Sequence, residues 1–408
     1  MRILLVNKFL FPKGGAETYV FDLGKMLEER GHEVQYFGLE NEKNIVGNKA
    51  GAYVTNMDFS EGMIKNLNAP FRIIYSSESR KKIRMVLNDF KPDIVHLNNI
   101  QYHLTPSIIL EISKWRKKTN RKCRIIYTTH DYQLICPSHG LFDANIKPCE
   151  KCLDGNYIHC FNTKCLKNSR AKSLLGTIDG YMWKYNPAYT FVDAYICCSY
   201  FLKDKLDTQA RFRGKTVGLH NFKEVKPLKD VRKKGYVLEF GHLSRDKGTD
   251  TLLKVAKRMP DTKFVFIGYG PSTEKMKDIP NVDYLGFKTG EELNRIIAEA
   301  SISVCPSEWY ENCPFSVIES VLFGTPVVGS RMGGIPELID PGKTGDLFEA
   351  GNADELEAAI KHILFTPGLL AQYTENCKKA CYETQDSYYS KLMKIYKGDY
   401  NEEENVSI

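Results

Sequence analysis

Short apolar runs recur along this chain, each separated from the next by a longer stretch with helical spacing. No other feature restricts the fold as strongly. Ile3-Leu4-Leu5-Val6 is the first run. Residues 17–30 follow with apolar side chains at helical intervals and close at Gly31, a residue suited to a helix end. Further strand-like runs lie at 34–38, 94–98, 124–128 and 195–198, then at 235–240, 263–267, 282–285, 302–305 and 326–328. Short apolar strands that alternate with helices predict parallel sheets covered on both faces. Several runs end in polar residues, and the carboxyl edge of such a sheet is where ligands bind.

At 408 residues the chain exceeds one ordinary core, and its 42% hydrophobic content supplies enough apolar surface for two. Two doubly wound sheets with a cleft between them are expected. The seam is placed at Leu219-His220-Asn221-Phe222, giving domains 1–218 and 219–382, with the basic, Pro-containing stretch 223–234 as a connector and a last helix within 383–400. The acidic tail 402–408 is expected to fray.

No apolar run is long enough to span a bilayer, and the N-terminus reads as a buried strand without a cleavage signal, so a cytoplasmic protein is expected. Net charge is +7, with basic clusters at 80–84, 115–118, 121–124 and 211–215. These read either as solvated helix faces or as a surface meeting an acidic polymer or anionic lipid heads, the latter on the inner face of a membrane. No helix-turn-helix, RNA-recognition or zinc-finger repeat pattern supports a nucleic-acid partner.

The segment Ser307-Glu308-Trp309-Tyr310-Glu311-Asn312-Cys313-Pro314-Phe315-Ser316-Val317-Ile318-Glu319-Ser320 is the most informative for chemistry. Seven residues separate Glu311 from Glu319, and Pro314 between them can set a helix N-terminus. Glu311 then lies in the loop before the helix and Glu319 just over a turn inside it. The backbone N–H groups near Phe315 and Ser316 would attract phosphate. A carboxylate on each side of a phosphate site suits a ligand with hydroxyls at both ends. A sugar nucleotide, with ribose, diphosphate and sugar in line, has that shape.

This stretch resembles the Glu-x7-Glu motif of the retaining glycosyltransferases of family 4, which have the two-domain GT-B fold. Four other motifs stand in the family's order: Met1-Arg2-Ile3-Leu4-Leu5-Val6-Asn7 followed by Gly14-Gly15-Ala16-Glu17, Gly241-His242-Leu243-Ser244-Arg245-Asp246-Lys247-Gly248, Phe266-Ile267-Gly268-Tyr269-Gly270-Pro271, and Gly333-Gly334-Ile335-Pro336-Glu337. The resemblance covers nearly the whole chain. It implies a last helix that crosses back to the first domain and a nucleoside diphosphate sugar as donor, usually of uridine. It also implies transfer with retention that needs no cofactor and no dedicated nucleophile, with a lipid-linked or polysaccharide glycan as acceptor.

The resemblance makes Gly15 a contact to the donor diphosphate, where a glycine lets a backbone N–H approach without a Cβ in the way. Lys247 would neutralise charge on the leaving diphosphate. The family pairs this lysine with an arginine at the position that here holds His242, so Arg245 and His242 are alternative second cations. His130, in Thr128-Thr129-His130-Asp131, stands where a family histidine contacts the transferring sugar, with Asn98 and Asn99 facing the acceptor. Glu311 would hold sugar hydroxyls and Glu319 the ribose. The base is expected between the Gly268-Tyr269-Gly270 turn and the segment after Tyr284-Leu285-Gly286-Phe287.

A cysteine-rich insertion, 136–165, is outside the general family pattern. Twelve cysteines without a secretion signal argue against a disulfide framework. Cys149 and Cys152 have a zinc-knuckle spacing, and Cys160 and Cys165 could complete four thiolates, with Cys136 and His139 as alternative ligands. The competing readings are reduced thiols in place of the zinc site and, for the chain, three other functions. A non-catalytic relative in a polysaccharide assembly would share the fold. A nicotinamide oxidoreductase would need the Gly-x-Gly-x-x-Gly fingerprint, which is missing. A glycosyl phosphorylase has no pattern in its favour.

Overall fold

The computed structural model describes residues 1–56, 69–145, 147–226 and 228–400. The tail expected to fray lies outside them. Twelve strands form two six-stranded sheets among the described residues. The first contains β1 (Arg2–Val6), β2 (Glu33–Phe37), β3 (Ile94–Leu97), β4 (Arg124–Thr129), β5 (Ala194–Cys197) and β6 (Thr216–Gly218). The second contains β7 (Tyr236–His242), β8 (Lys263–Tyr269), β9 (Val282–Tyr284), β10 (Ile302–Cys305), β11 (Val327–Ser330) and β12 (Gly345–Phe348). Every pairing between these strands is parallel.

The alternation read in the sequence is therefore an α/β fold, as expected. Two edge strands escaped that reading. Thr216–Gly218 is only three residues long, and Gly345–Phe348 carries a glycine and an aspartate in four. Neither presents an apolar run, because an edge strand needs a ladder partner on one side only.

Strand order is β2-β1-β3-β4-β5-β6 in the first sheet and β12-β11-β10-β7-β8-β9 in the second. The order reverses between β1 and β3, and again between β7 and β10. At such points successive crossovers leave on opposite faces, and a crevice opens beyond the carboxyl ends of the strands. Both crevices are lined by residues of the motifs above.

The chain divides into two compact units. One comprises Met1–Ala144, Cys149–His220 and Asp386–Ile408; the other comprises Asn145–Pro148 and Asn221–Gln385. The first unit thus takes its final helix, Gln385–Lys397, from beyond the second in sequence. A buried polar network holds it there. Tyr388 Oη lies 2.6 Å from Tyr19 Oη. Tyr396 Oη lies 2.6 Å from His96 Nδ1, and His96 Nε2 lies 2.6 Å from Thr128 Oγ1. All five residues are essentially inaccessible to solvent, so each polar atom must find its partner inside the protein. The second unit has an apolar core of Leu252, Val255, Phe264, Phe266, Ile302 and Ile360, with strands on one side and helices on the other.

Candidate functional site

In the second unit two loops meet at the reversal between β7 and β10. The first, after β7, runs through Ser244 and Lys247 to Gly248, where helix Thr249–Arg258 begins. The second, after β10, runs from Pro306 to Pro314 and leads into helix Phe315–Leu322. Gly248 has φ +78°, and a Cβ there would lie 1.8 Å from the carbonyl oxygen of Pro306, so only glycine lets the loops approach this closely. The Glu308 amide donates to the Asp246 carbonyl at 2.9 Å and locks them together.

This contact brings Lys247 to Glu311. Lys247 Nζ is 2.5 Å from Glu311 Oε1, which also accepts from Ser307 Oγ at 3.0 Å. The ammonium lies 4.2 Å from the centroid of the Trp309 ring. Both charges are mostly buried, at 24% and 14% side-chain exposure. Glu311 is held from behind as well. Its carbonyl accepts from the Gly334 amide at 2.7 Å, and Gly333, at φ +59°, packs so near that a Cβ would meet that carbonyl at 2.0 Å. The Gly333-Gly334 motif thus shapes the loop that carries the glutamate.

Glu319 sits just past the first turn of helix Phe315–Leu322 and pairs with Lys223 at 3.3 Å. Lys223 Nζ also lies 5.5 Å from the Phe315 ring centroid. Lys223 thus belongs to the donor side of the site although it lies in the stretch expected as a connector. Phe315 and Ser316 form the half-buried first turn, whose amides have no acceptor within the helix. The outcome is an alternation of carboxylates, ammonium groups and a helix N-terminus along one edge of the sheet. Ion pairs of this kind can exchange a side-chain partner for a charged or hydroxylated ligand.

Gly268 and Gly270 have φ +134° and +154°, and a Cβ at either would strike the backbone oxygen of Gly241 or Leu243. Close approach of β7 to β8 therefore accounts for both glycines. The residues between and after them form an exposed aromatic shelf that the motif did not announce. Tyr269 is 54% and Phe287 67% exposed, with ring centroids 6.0 Å apart, and His242 stands edge-on to Tyr269 at 5.4 Å. Arg245 is exposed on the same loop, and its charge acts on Asp250.

In the first unit the reversal between β1 and β3 gathers Asn7, Asn98 and His130. Gly15 is exposed in the first turn of helix Gly15–Glu29. Glu17, two residues on, is buried and accepts from Asn7 Nδ2 at 3.1 Å. His130 Nε2 lies 2.9 Å from Asn98 Oδ1, which assigns the ring proton to Nε2 and leaves Nδ1 the acceptor nitrogen. Burial pushes the His130 pKa down to about 4. His96 is pushed to about 3 by burial and then by the charge of His130.

Both rings are therefore neutral at neutral pH, and the sign of their effect on stability follows. The unfolded chain takes up these protons near pH 6.5 and the folded chain only near pH 3–4, so stability is full above pH 6.5 and falls as pH drops toward 4. We expect urea melts to show a steep loss of stability from pH 6.5 to 4, and His96→Gln to flatten that slope. An unchanged slope in the variant would place the acid sensitivity elsewhere.

His139, considered above as a zinc ligand, turns toward other partners. At φ +69° its Nε2 lies 2.6 Å from Tyr102 Oη, and its Nδ1 lies 3.6 Å from Asp131 Oδ2. Tyr102 is also left-handed, at φ +63°. Two non-glycine residues in this strained region, facing each other beside His130, mark the carboxyl edge of β3 and β4 as a built polar site.

The thiols expected to bind zinc are packed as a core. Cys152, Cys160 and Cys165 are buried around Tyr157, while Cys149 is half-buried. Thr163 Oγ1 lies 2.8 Å from Cys165 Sγ, and a hydrogen bond from Cys160 lowers the pKa of the Cys165 thiol. Among the described residues no group of three or more His, Cys, Asp or Glu side chains converges to hold a metal ion.

Comparison with known proteins bears on the whole chain. Residues 13–222 match the model described as Glycosyltransferase Family 4, and residues 221–380 match that of Glycosyl transferases group 1. An uncharacterized 42.6 kDa protein in the cps region of Klebsiella pneumoniae is 26% identical over 362 residues, covering 83% of this chain and 87% of that one. A sucrose-phosphate synthase from Thermosynechococcus elongatus superposes with a TM-score of 0.71 at 17% identity, over 97% of this chain and 98% of that one. The Anabaena HepE structure in complex with UDP and glucose gives 0.67 at 16% identity, over 98% and 100%. The two parallel sheets are those of the GT-B fold. With more than half its length matched by one model and most of the rest by the other, the chain belongs to the family 4 glycosyltransferases, enzymes that transfer sugars.

Proposed function

We propose that the chain transfers a sugar, with retention at the anomeric carbon, from a uridine diphosphate sugar to a lipid-linked or polysaccharide acceptor used in cell-surface glycan synthesis. The observation that carries this reading is the Lys247–Glu311 pair beside the first turn of helix Phe315–Leu322. On donor binding, Lys247 turns from Glu311 to the diphosphate, and the released carboxylate accepts hydrogen bonds from the sugar hydroxyls. Glu319 turns from Lys223 to the ribose hydroxyls, and the amides of Phe315 and Ser316 meet the phosphate oxygens. Arg245 adds charge from the same loop, next to the Gly268 and Gly270 turn. In the first unit, the neutral His130 is the counterpart of the sugar-contacting histidine that the family resemblance implies.

The leaving diphosphate takes the acceptor proton on the face where the new bond forms, so the protein works by charge and position. No step runs through a metal. Asp131, His139 and Tyr102 contribute hydrogen bonds to acceptor hydroxyls. Support for uridine comes from HepE, a relative in fold with UDP bound. Support for surface glycan synthesis comes from the relative in a cps region.

The aromatic shelf supplies the base platform. Stacking on an aromatic ring contributes about 1–3 kcal/mol per base. The test is a thermal-shift panel of nucleotides and nucleotide sugars with NAD as control. Uridine diphosphate and its sugars are expected to raise the melting temperature by mass action, and Phe287→Ala is expected to weaken that binding about 10-fold, in line with one lost stack. Stabilisation by NAD alone, or by none of the panel, would overturn the reading.

A further inference from the structure

Helix Arg170–Tyr185 has two faces of opposite character. Its inner face is built of small residues against the cysteine cluster. A Cβ on Gly176 would lie 2.5 Å from Leu166, and one on Gly180 would lie 2.8 Å from Tyr157. The helix is thus seated closely, with Trp183 also turned inward, while several other large apolar residues face away. Leu174 is 46%, Ile178 47% and Tyr185 78% exposed. These positions, with the half-buried Tyr181, follow the spacing i, i+4, i+7 and i+11, which is one stripe of a helix. Tyr181 and Tyr185 stack with their rings 9° from parallel. Ile158, 40% exposed, joins the stripe where its amide meets Tyr181 Oη at 3.3 Å.

Charge says what covers this stripe. From 158 to 185 the chain carries five basic residues, Lys164, Lys167, Arg170, Lys172 and Lys184, and one acid, Asp179. That acid does not offset them at the surface, because it accepts from Trp183 Nε1 at 3.0 Å and lines an internal cavity with Tyr157 and Arg211. An apolar stripe on a segment with a net excess of exposed cations, Lys167, Arg170 and Lys172, matches an anionic bilayer surface, which offers acyl chains and negative headgroups. In the basic clusters elsewhere in the unit several charges are engaged internally. Arg80 and Arg84 bind the buried Glu111, Arg116 binds Asp193, and Lys215 donates to the carbonyls of Thr190 and Val192.

We infer that the outer face of helix Arg170–Tyr185, with Ile158, is a docking surface for anionic lipid bilayers. The cysteine cluster behind it acts as the seat that holds the stripe outward. This rests only on the lipid-linked half of the acceptor reading, and it is tested without donor or acceptor. Full-length protein is floated with vesicles of equal parts phosphatidylglycerol and phosphatidylcholine, and with phosphatidylcholine alone. We expect flotation with the anionic vesicles only, reduced at least about 10-fold both by the double change Leu174→Ser and Ile178→Ser and by Lys167→Glu with Lys172→Glu, since apolar area and cations each contribute. Melting temperatures are expected to match the parent, because all four side chains face solvent. Equal flotation of parent and variants would overturn the proposal. So would a concentration-dependent dimer that the serine changes abolish while no vesicle binding is seen.

Discussion

Lys247→Met is expected to lower kcat/KM for transfer by about 10³-fold, with a change of only a few degrees in melting temperature. Removing one preorganised electrostatic partner of a developing charge typically costs 10²–10³-fold, and a leaving diphosphate carries more charge than most oxyanions. Lys247 is well placed for that role. Its ammonium is held by Glu311 and by the Trp309 face, so little rearrangement entropy is lost when a phosphate replaces the carboxylate. Lys247→Arg retains the charge but not the compact ammonium, and is expected to recover part of the rate. The measurement is steady-state transfer, or slow donor hydrolysis where acceptor is withheld. A Lys247→Met enzyme with parental kcat/KM would remove this lysine from the chemistry.

Glu311→Ala is expected to abolish measurable transfer while the protein stays folded. Glu319→Ala is expected chiefly to raise the donor KM. The difference follows from what each carboxylate meets. Glu311 would grip the sugar that moves, where binding must improve as the transition state forms; Glu319 would grip the ribose, which is held equally throughout. In donor affinity, read by thermal shift, the pair Lys247→Met and Glu311→Ala should be far from additive, because the two side chains touch. Unchanged turnover in Glu311→Ala would sink the site assignment, and additive losses would mean that the two act on separate parts of the donor.

The two sheets were legible because buried parallel strands must be apolar along their whole length, and runs such as 3–6 and 302–305 can be little else. Pairings across the sheet were hidden. Lys247 and Glu311 are 64 positions apart, and only the reversal of strand order at β7 and β10 makes them neighbours. Lys223 looked like connector charge because its partner, Glu319, lies on a distant helix. His139 was read among the cysteines since spacing is all a sequence shows; its left-handed backbone instead turns it toward Asp131 and Tyr102. The aromatic shelf was hidden for a further reason. The sequence places the base between the Gly268-Tyr269-Gly270 turn and the segment after Phe287 but does not say that the Tyr269 and Phe287 rings stand exposed there, because exposure depends on how the two strand ends pack.

The helix Gln385–Lys397 has a consequence for how the protein is made. A ribosome delivers the second unit before it delivers Tyr388 and Tyr396, the residues that complete the buried polar network of the first. Until then Tyr19 and His96 have water where Tyr388 and Tyr396 belong, and the first unit stays short of its final stability. Vectorial synthesis thus makes the half that emerges first the half that is finished last. A nascent chain stalled before residue 385 would hold a completed second sheet beside an unsealed first one, with the final helix as the closing step of the whole enzyme.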